Sequence, residues 1–157
     1  MREARGRIEL LRVGEAEVER VVPLFDGYRR FYGQASDLAG ARRFLGQRIV
    51  SGESVIFLAA DTGGGSVDAL GFTQLYPFFT SVGLARTFVL NDLFVRPDAR
   101  GRGVGRALLE RAREHARSTG ARRVDLQTAR TNTSAQALYE SFGYERNDGF
   151  LQYSLRI

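Results

Sequence analysis

The chain of 157 residues contains no cysteine and no lysine, and each absence excludes a class of chemistry. Without cysteine there is no disulfide, no cysteine-liganded metal site and no thiol nucleophile. Without lysine there is no phosphate-binding loop of the Walker type, no Schiff base on the enzyme and no lysine general base. Histidine occurs once, at His115, which we interpret as a packed or solvated residue rather than a catalyst.

Long apolar runs are also absent. The most apolar segment, residues 55–60, is far shorter than the roughly 20 residues that cross a bilayer. Residues 1–7 carry charges where a secretory signal peptide needs an apolar core. These two features predict a cytoplasmic protein that does not contact a membrane.

The composition is that of a globular protein, with 43% apolar and 26% charged residues. We predict one domain, residues 1–157, that buries roughly two-thirds of its unfolded surface. The 23 basic residues, all arginine, outnumber the 18 acidic ones, for a net charge of +5. That surplus favours an anionic partner, either a phosphate-bearing cofactor or a nucleic acid.

Apolar spacing predicts an α/β fold with a mixed sheet. The predicted strands are residues 8–13, 55–60, 69–76, 87–95, 123–128 and 150–156, and the predicted helices are residues 18–32, 38–50, 104–119 and 134–142. Pro23 is expected to kink or restart the first helix, and Ser36 or Asp37 to cap the second. The glycine-rich residues 61–66 predict a hairpin, and Pro77 is expected to lie just after the strand at 69–76.

A glycine-rich segment, residues 96–106, follows the strand at 87–95 and precedes a helix. Glycine lets backbone N–H groups converge on one point, and a helix N-terminus adds partial positive charge, so this arrangement suits a phosphate or pyrophosphate. The spacing fails the dinucleotide-binding G-x-G-x-x-G/A pattern at its third position. It fits Arg100-x-x-Gly103-x-Gly105 without a gap.

With that pattern the chain resembles the GCN5-related N-acetyltransferase (GNAT) family, whose acetyl-coenzyme A loop reads Gln/Arg-x-x-Gly-x-Gly/Ala. A second block typical of the family follows at residues 132–139 and ends in Phe142-Gly143-Tyr144. The resemblance implies a GNAT acyl-CoA N-acyltransferase fold, a central mixed and mostly antiparallel sheet flanked by helices. It also implies an acetyl-CoA-dependent N-acetyltransferase that needs no metal.

The resemblance places the cofactor on two stretches of the chain. The backbone of Leu93, Phe94 and Val95 is expected to pair with the pantetheine arm, because the family splays its fourth and fifth strands apart. The diphosphate is expected at the loop and helix start, comprising Arg100, Gly101, Arg102, Gly103, Val104, Gly105 and Arg106. The alternative is a plain strand-to-helix turn in which the glycines only relieve strain.

Asn132 and Tyr139 complete the expected cofactor site. The family pattern implies that Asn132 hydrogen-bonds the cofactor and that Tyr139 lies near the sulfur, where it protonates the departing thiolate. Thr133 and Gln136 form a candidate capping box that leaves Asn132 free, although Asn132 is also a candidate helix-entry residue. Periodicity alone assigns Tyr139 to the core.

Asp92 is the candidate general base. A carboxylate in an otherwise apolar strand must be hydrogen-bonded or functional, since burial without a partner is costly. Many amine acetyltransferases carry a glutamate where this chain has Asn91, so Asp92, acting directly or through water, takes the role.

The acceptor is expected to be a primary amine, and we favour one on a small molecule. The candidate acceptor pocket comprises Tyr28, Tyr32, Gln74 and Tyr76, which with Asp92 could surround a cation. Three alternatives stay open: a protein amine as acceptor, a non-catalytic acyl-CoA sensor, and a basic nucleic-acid-binding module. We expect no nucleic-acid or membrane partner, and a homodimer is possible.

Overall fold

The computed structural model describes residues 6–63 and 67–157. Residues 64–66 of the predicted hairpin loop lie outside the described residues, as do residues 1–5. The chain forms two compact units, Met1–Gln127 and Thr128–Ile157.

The first unit is built on a sheet of five strands. The strands are β1 (Ile8–Arg12), β2 (Val55–Asp61), β3 (Asp68–Thr80), β4 (Ala85–Val95) and β5 (Val124–Asp125). The helices are α1 (Val18–Phe31), α2 (Leu38–Val50) and α3 (Val104–Ser118), with short 3-10 helices at Glu15–Glu17 and Pro97–Ala99. The strands lie in the order β1-β2-β3-β4-β5, and every neighbouring pair is antiparallel except β4 with β5. The predicted mixed, mostly antiparallel sheet flanked by helices is confirmed.

Helices cover both faces of this sheet. Val21 of α1 is buried in one cluster with Ile56 and Leu58. Phe57, which lies between those two residues, points to the opposite face because side chains alternate along a strand. There its ring packs against His115 of α3, 5.6 Å between centroids. His115 is therefore a packed residue, as the sequence indicates.

Helix α1 continues through Pro23, so of the two expectations for this residue the restart is wrong, whereas the kink stays a prediction. Proline removes one helical hydrogen bond. The residues on either side of it, Val22 and Leu24, are buried in the core, so tertiary packing holds the helix across this position. At α2, Asp37 is the N-cap, and its carboxylate accepts the amide of Gly40.

Strand β3 extends beyond Pro77 to Thr80, so the expectation that the strand stops before Pro77 is also wrong. Pro77 pairs in register with Phe88, whose amide points away from β3 and donates to Arg123 O. Partners in an antiparallel pair point their backbone groups the same way, both toward or both away from each other. The backbone nitrogen of Pro77 therefore points away from β4, toward the β2 side of the strand. Pairing with β2 ends at Leu75, so no neighbouring strand needs an N–H from Pro77.

The second unit contains α4 (Thr133–Phe142), which ends at Gly143 with φ +109°. The predicted strand at residues 150–156 is wrong, because the structure forms no strand there and leaves Phe150, Leu151, Tyr153 and Leu155 exposed. A strand needs the backbone of a neighbouring strand to pair with. Within the described residues of this unit, α4 is the only regular element and offers no such edge.

Strand β5 of the first unit is also shorter than predicted, since it pairs only with Phe88 and Val89.

Asp26 joins the end of α1 to the start of α2. Its buried carboxylate accepts hydrogen bonds from the Asp37 amide and the Ser36 hydroxyl, both at 2.8 Å. These bonds, with the amide bond dominant, hold the pKa of Asp26 below its ordinary value. The ionised form is therefore the one that stabilises the fold.

We expect Asp26→Asn to lower the free energy of unfolding at pH 7 by about 1–3 kcal/mol, because an amide cannot accept both bonds on charged oxygens. Because the folded pKa is lowered, the ionised carboxylate contributes fully above the ordinary value of 3.8 and loses its contribution as pH falls below it. Denaturant unfolding at several pH values measures the difference. Asp148→Asn, on an exposed residue, is the matched control and should leave stability unchanged. A difference between wild type and Asp26→Asn that does not shrink in acid contradicts the assignment.

Candidate active site

Strands β4 and β5 separate halfway along β4. They pair only through Phe88 with Val124 and Val89 with Asp125, whereas β4 continues to Val95. The β5 side of β4 therefore has no strand partner at residues 90–95 within the described chain. The resemblance implies that the fourth and fifth strands splay apart here, and the end of pairing after Val89 agrees with that expectation.

Backbone groups of Leu93 and Val95 face that open edge. Arg96 donates its amide to Leu70 O at 2.8 Å, so the backbone of Arg96 points toward β3. Backbone groups alternate along a strand, which turns Phe94 toward β3 and both Leu93 and Val95 toward the open side. Of the three residues expected to pair with the pantetheine arm, two thus offer backbone groups at this edge. Arg100 Nε already donates to the Val95 carbonyl at 3.0 Å.

A β-bulge lies at the end of the open edge that is nearer to Val89. Leu75 pairs with Leu90 and Gln74 with Asp92, which leaves Asn91 as an extra residue in β4. A bulge bends its strand and re-aims the neighbouring side chains. The Asn91 carbonyl accepts the Tyr28 hydroxyl at 3.1 Å, so the bulge connects β4 to α1.

Asp92 is buried, with 2% of its surface exposed, and both of its oxygens accept hydrogen bonds. Gln74 Nε2 donates to Oδ2 at 2.5 Å, and Asn91 Nδ2 donates to Oδ1 at 2.9 Å. Ser54 in turn donates its hydroxyl to Gln74 Oε1, which fixes the orientation of the Gln74 amide. Burial raises the pKa of Asp92 and outweighs the lowering by these hydrogen bonds. A carboxylate with a raised pKa in a cleft is a typical feature of a catalytic site.

Aromatic residues stand around this carboxylate. Tyr28 and Tyr32 are in edge-to-face contact with centroids 5.0 Å apart. Burial, with Asp92 as the next cause, raises the pKa of Tyr76 to about 12, so its hydroxyl stays protonated at neutral pH. Gln74 is fully buried and bonded at both ends of its amide, so it positions Asp92 rather than lining an open pocket.

The loop before α3 has the backbone shape that glycine permits. Gly101 and Gly103 have φ of +73° and +82°, and a Cβ at either would meet no atom within 4 Å. Gly103 is the N-cap of α3, and no side chain caps the helix. The N–H groups at the start of α3 thus stand at an uncapped helix N-terminus, where an anion is stabilised by these donors and by the helix dipole. Val104 is buried beneath this turn.

The loop arginines have protein partners of their own. Arg102 forms an ion pair with Asp61, Nη2 to Oδ2, at 2.6 Å. Arg100 binds the Val95 carbonyl, and its guanidinium lies 5.8 Å from the centre of the Phe94 ring. Asp61 therefore offsets the positive charge of Arg102, which is one of the arginines expected at the diphosphate. Sequence reasoning missed Asp61 because it lies 41 residues away.

Asn132 is the N-cap of α4, and its Oδ1 accepts the Ala135 amide at 3.2 Å. The predicted Thr133–Gln136 capping box does not form, because the Gln136 side chain donates instead to the carbonyls of Ala129 and Arg130. The cap uses Oδ1 of the Asn132 amide, and Nδ2 takes no part in it. Tyr139 is buried and packs edge-to-face on Tyr144, 5.8 Å between centroids.

Comparison with known proteins identifies the family. The model of the acetyltransferase (GNAT) family matches residues 21–144. The chain is 46% identical over 142 residues to YhfO, an uncharacterized N-acetyltransferase of Bacillus subtilis (strain 168), covering 90% of this chain and 93% of that protein. It is also similar to the crystal structure of a probable acetyltransferase, with 38% identity, a TM-score of 0.86 and coverage of 95% and 97% of the two chains.

The chain belongs to the GNAT acetyltransferase family. The predicted enzyme class, an acetyl-CoA-dependent N-acetyltransferase, is confirmed with it. An aminoglycoside N-acetyltransferase, AAC(6′)-Iy, solved with CoA, shares the fold at 19% identity and a TM-score of 0.78, with full coverage of both chains.

The described residues contain neither a helix that could span a membrane nor a cluster of side chains that could hold a metal ion. None of the helices in residues 6–63 and 67–157 is long and apolar enough to cross a membrane. Over the same residues, no three or more histidine or carboxylate side chains group in a way that could hold a metal ion.

We expect Gly103→Ala to weaken acetyl-CoA binding about tenfold, because a shifted amide loses a hydrogen bond to a charged group. Forcing alanine to positive φ should also cost about 1 kcal/mol of stability. Gly120→Ala is the matched control, since Gly120 has φ +75° and open space at the other end of α3. Calorimetric titration and denaturant unfolding measure both quantities. Equal acetyl-CoA affinity in the two variants would place the diphosphate elsewhere.

Proposed function

We propose that this protein transfers the acetyl group of acetyl-CoA to a primary amine of a small molecule by direct attack in a ternary complex. The observation that carries the proposal is the open edge of β4 at residues 90–95, which includes the buried carboxylate of Asp92. Without cysteine, the acetyl group has no thiol on the enzyme to rest on. We further propose that residues 1–157 work as one GNAT domain in the cytoplasm, with no metal.

In this proposal the pantetheine arm adds to β4 as a further strand would. Backbone groups of Leu93 and Val95 meet the arm, and the amides of residues 101–106 meet the diphosphate. Asn132 donates its amide N–H to the cofactor from the start of α4. The AAC(6′)-Iy structure with CoA shows that the fold accommodates this carrier.

The acceptor nitrogen must lose a proton before it can attack the thioester, because an alkyl ammonium has a pKa of about 10. Asp92 takes that proton through a water, since the carboxylate itself is buried. The nitrogen then bonds to the carbonyl carbon, and the Leu93 amide at the open edge stabilises the oxyanion. The C–S bond breaks, and Tyr139 protonates the departing thiolate.

Positioning supplies much of the rate, since holding both substrates makes the encounter unimolecular. Tyr28, Tyr32 and Tyr76 line the approach to Asp92 and provide aromatic faces for the acceptor. Release of CoA thiol during turnover separates this function from an acyl-CoA sensor, which binds without turnover. A nucleic-acid-binding module would instead bind DNA with steep salt dependence and ignore acetyl-CoA.

We expect Asp92→Asn to lower kcat/KM for the acceptor about 100-fold, the lower range for loss of a general base. A base works only when deprotonated, and burial raises the pKa of Asp92, so the wild-type rate should fall as pH drops through that raised pKa. The variant should lack this acidic limb and keep its affinity for acetyl-CoA. Asp26→Asn, which also neutralises a buried aspartate, should retain the wild-type profile. An identical limb in Asp92→Asn would assign the base to another group.

We expect Tyr139→Phe to lower kcat about tenfold or more while leaving the dissociation constant for acetyl-CoA unchanged, because only the proton donor is removed. Tyr153→Phe, on an exposed tyrosine, is the control and should match wild type. Stopped-flow or steady-state thiol release provides kcat, and calorimetry provides affinity. Full turnover by Tyr139→Phe at every pH would remove this residue from the acid role.

A further inference from the structure

A cavity of about 670 Å³ lies between α1 and the ends of β3 and β4. Its lining includes Arg20, Gly27 and Arg30 of α1, Phe94 of β4, and Arg96 and Arg100 beyond it. We call it the α1 cavity. Four arginines and one aspartate, Asp68, make its lining strongly basic.

Two of these arginines, Arg20 and Arg100, have no acidic partner among the residues that the structure describes. Arg96 is neutralised by Asp68 at 2.7 Å and Asp98 at 2.6 Å. Arg30 makes no ion pair within 4.0 Å in the described part of the chain, but its charge helps to lower the pKa of Asp26 on the same helix. Like charges gathered around one cavity repel each other unless an anion enters it.

Arg20 also lacks a hydrogen-bond partner at one of its nitrogens. The Nη2 atom is buried and has no hydrogen-bond partner among residues 6–63 and 67–157. Buried polar atoms in folded proteins are nearly always hydrogen-bonded, and an exception needs an explanation such as a missing ion or ligand. A carboxylate or phosphate oxygen in the cavity would supply that partner.

The α1 cavity shares a sheet face with Asp92. Phe94 lies two residues beyond Asp92 in β4, so their side chains point to the same face, roughly 7 Å apart along the strand. Phe94 pairs in register with Phe72, which packs in the α1 core cluster. Gly27 allows α1 to approach this point, since a Cβ there would meet the Phe94 ring at 3.0 Å. The next residue of α1 is Tyr28, which contacts the bulge.

We propose that the α1 cavity binds an anionic group of the acceptor, so that the acceptor is an amine that also carries a carboxylate or a phosphate. This inference rests on the proposed function and narrows its substrate class. The amine lies at Asp92, and the anion lies beside Arg20 and Arg30 on the same face. Arg20 donates a charge-assisted hydrogen bond to that anion.

The main-chain donors proposed for the cofactor's diphosphate are the amides at the start of α3, and α3 covers the sheet face opposite α1. Arg100, from the loop before α3, is the residue that the two proposed sites share, since it also lines the α1 cavity. With CoA bound, the α1 cavity should therefore still accept an anion. That difference makes a test possible before the acceptor is identified.

The first measurement titrates inorganic phosphate into the CoA-saturated protein. Wild type and the control Arg117→Gln, which removes an exposed charge on α3, should bind phosphate with the same Kd. Arg20→Gln should bind it about tenfold more weakly, through loss of a charge-assisted hydrogen bond. Absence of phosphate binding to CoA-saturated wild type, or equal binding by Arg20→Gln, overturns the proposal.

The second measurement compares ω-amino acids, whose chains are long enough to span the roughly 7 Å between Asp92 and Phe94, with their carboxamides as acceptors, by acetyl-CoA-dependent thiol release. Acids should be acetylated with kcat/KM about tenfold above that of the matched amides, and Arg20→Gln should remove this preference through KM. Equal use of acids and amides overturns the inference and leaves the acetyltransferase intact. Weaker binding of CoA, but not of 3′-dephospho-CoA, by Arg20→Gln would assign the cavity to the cofactor and also overturn it. Failure of wild type to bind acetyl-CoA would contradict the proposed function itself.

Discussion

A carboxylate buried between two strands needs a hydrogen-bond donor for each oxygen, and at Asp92 this requirement shapes the whole site. Gln74 serves one oxygen and Asn91 the other. Asn91 can do so because it is the extra residue of the bulge, and the same bulge turns its carbonyl to Tyr28. The bulge in β4 therefore orients the proposed base and joins α1 to the sheet. It lies close to Val89, where pairing with β5 ends.

The two anion sites proposed for this protein differ in the kind of donor that they offer. On the α3 side, the loop offers main-chain N–H groups, shaped by Gly101 and Gly103, to a diphosphate. On the α1 side, Arg20 and Arg30 offer guanidinium groups, which reach farther and suit a carboxylate or a phosphate. Separate sites let a carrier and an acceptor that are both anionic bind together, because neither has to compete for the other's donors.

Local pattern was sufficient for most of the fold, and it failed where a distant partner decides the outcome. Helix α2 and the glycine loop follow from spacing, capping and φ preferences that act within a few residues. The bulge at Asn91 depends on register against β3, and the Arg102–Asp61 pair spans 41 residues, so neither leaves a local signal. Residues 150–156 alternate as a strand does, yet no paired edge is present in their unit. At α4 the prediction failed for a local reason instead. Asn132 and Thr133 are both residue types that cap helices, and the structure assigns the cap to Asn132 where the sequence pattern predicts Thr133.

The proline in β3 has a consequence for the behaviour of the protein in concentrated solution. Beyond Leu75 that strand has lost its β2 neighbour, and Phe78 and Phe79 are exposed nearby, features that invite another chain to add on and begin aggregation. The backbone nitrogen of Pro77 faces this side and carries no hydrogen, so a strand added there would lack one hydrogen bond of the ladder. Replacing Pro77 with a residue that has a backbone N–H would restore a continuous row of donors along this edge of β3. A strand of another chain would then pair with the edge more easily, and aggregation would be favoured.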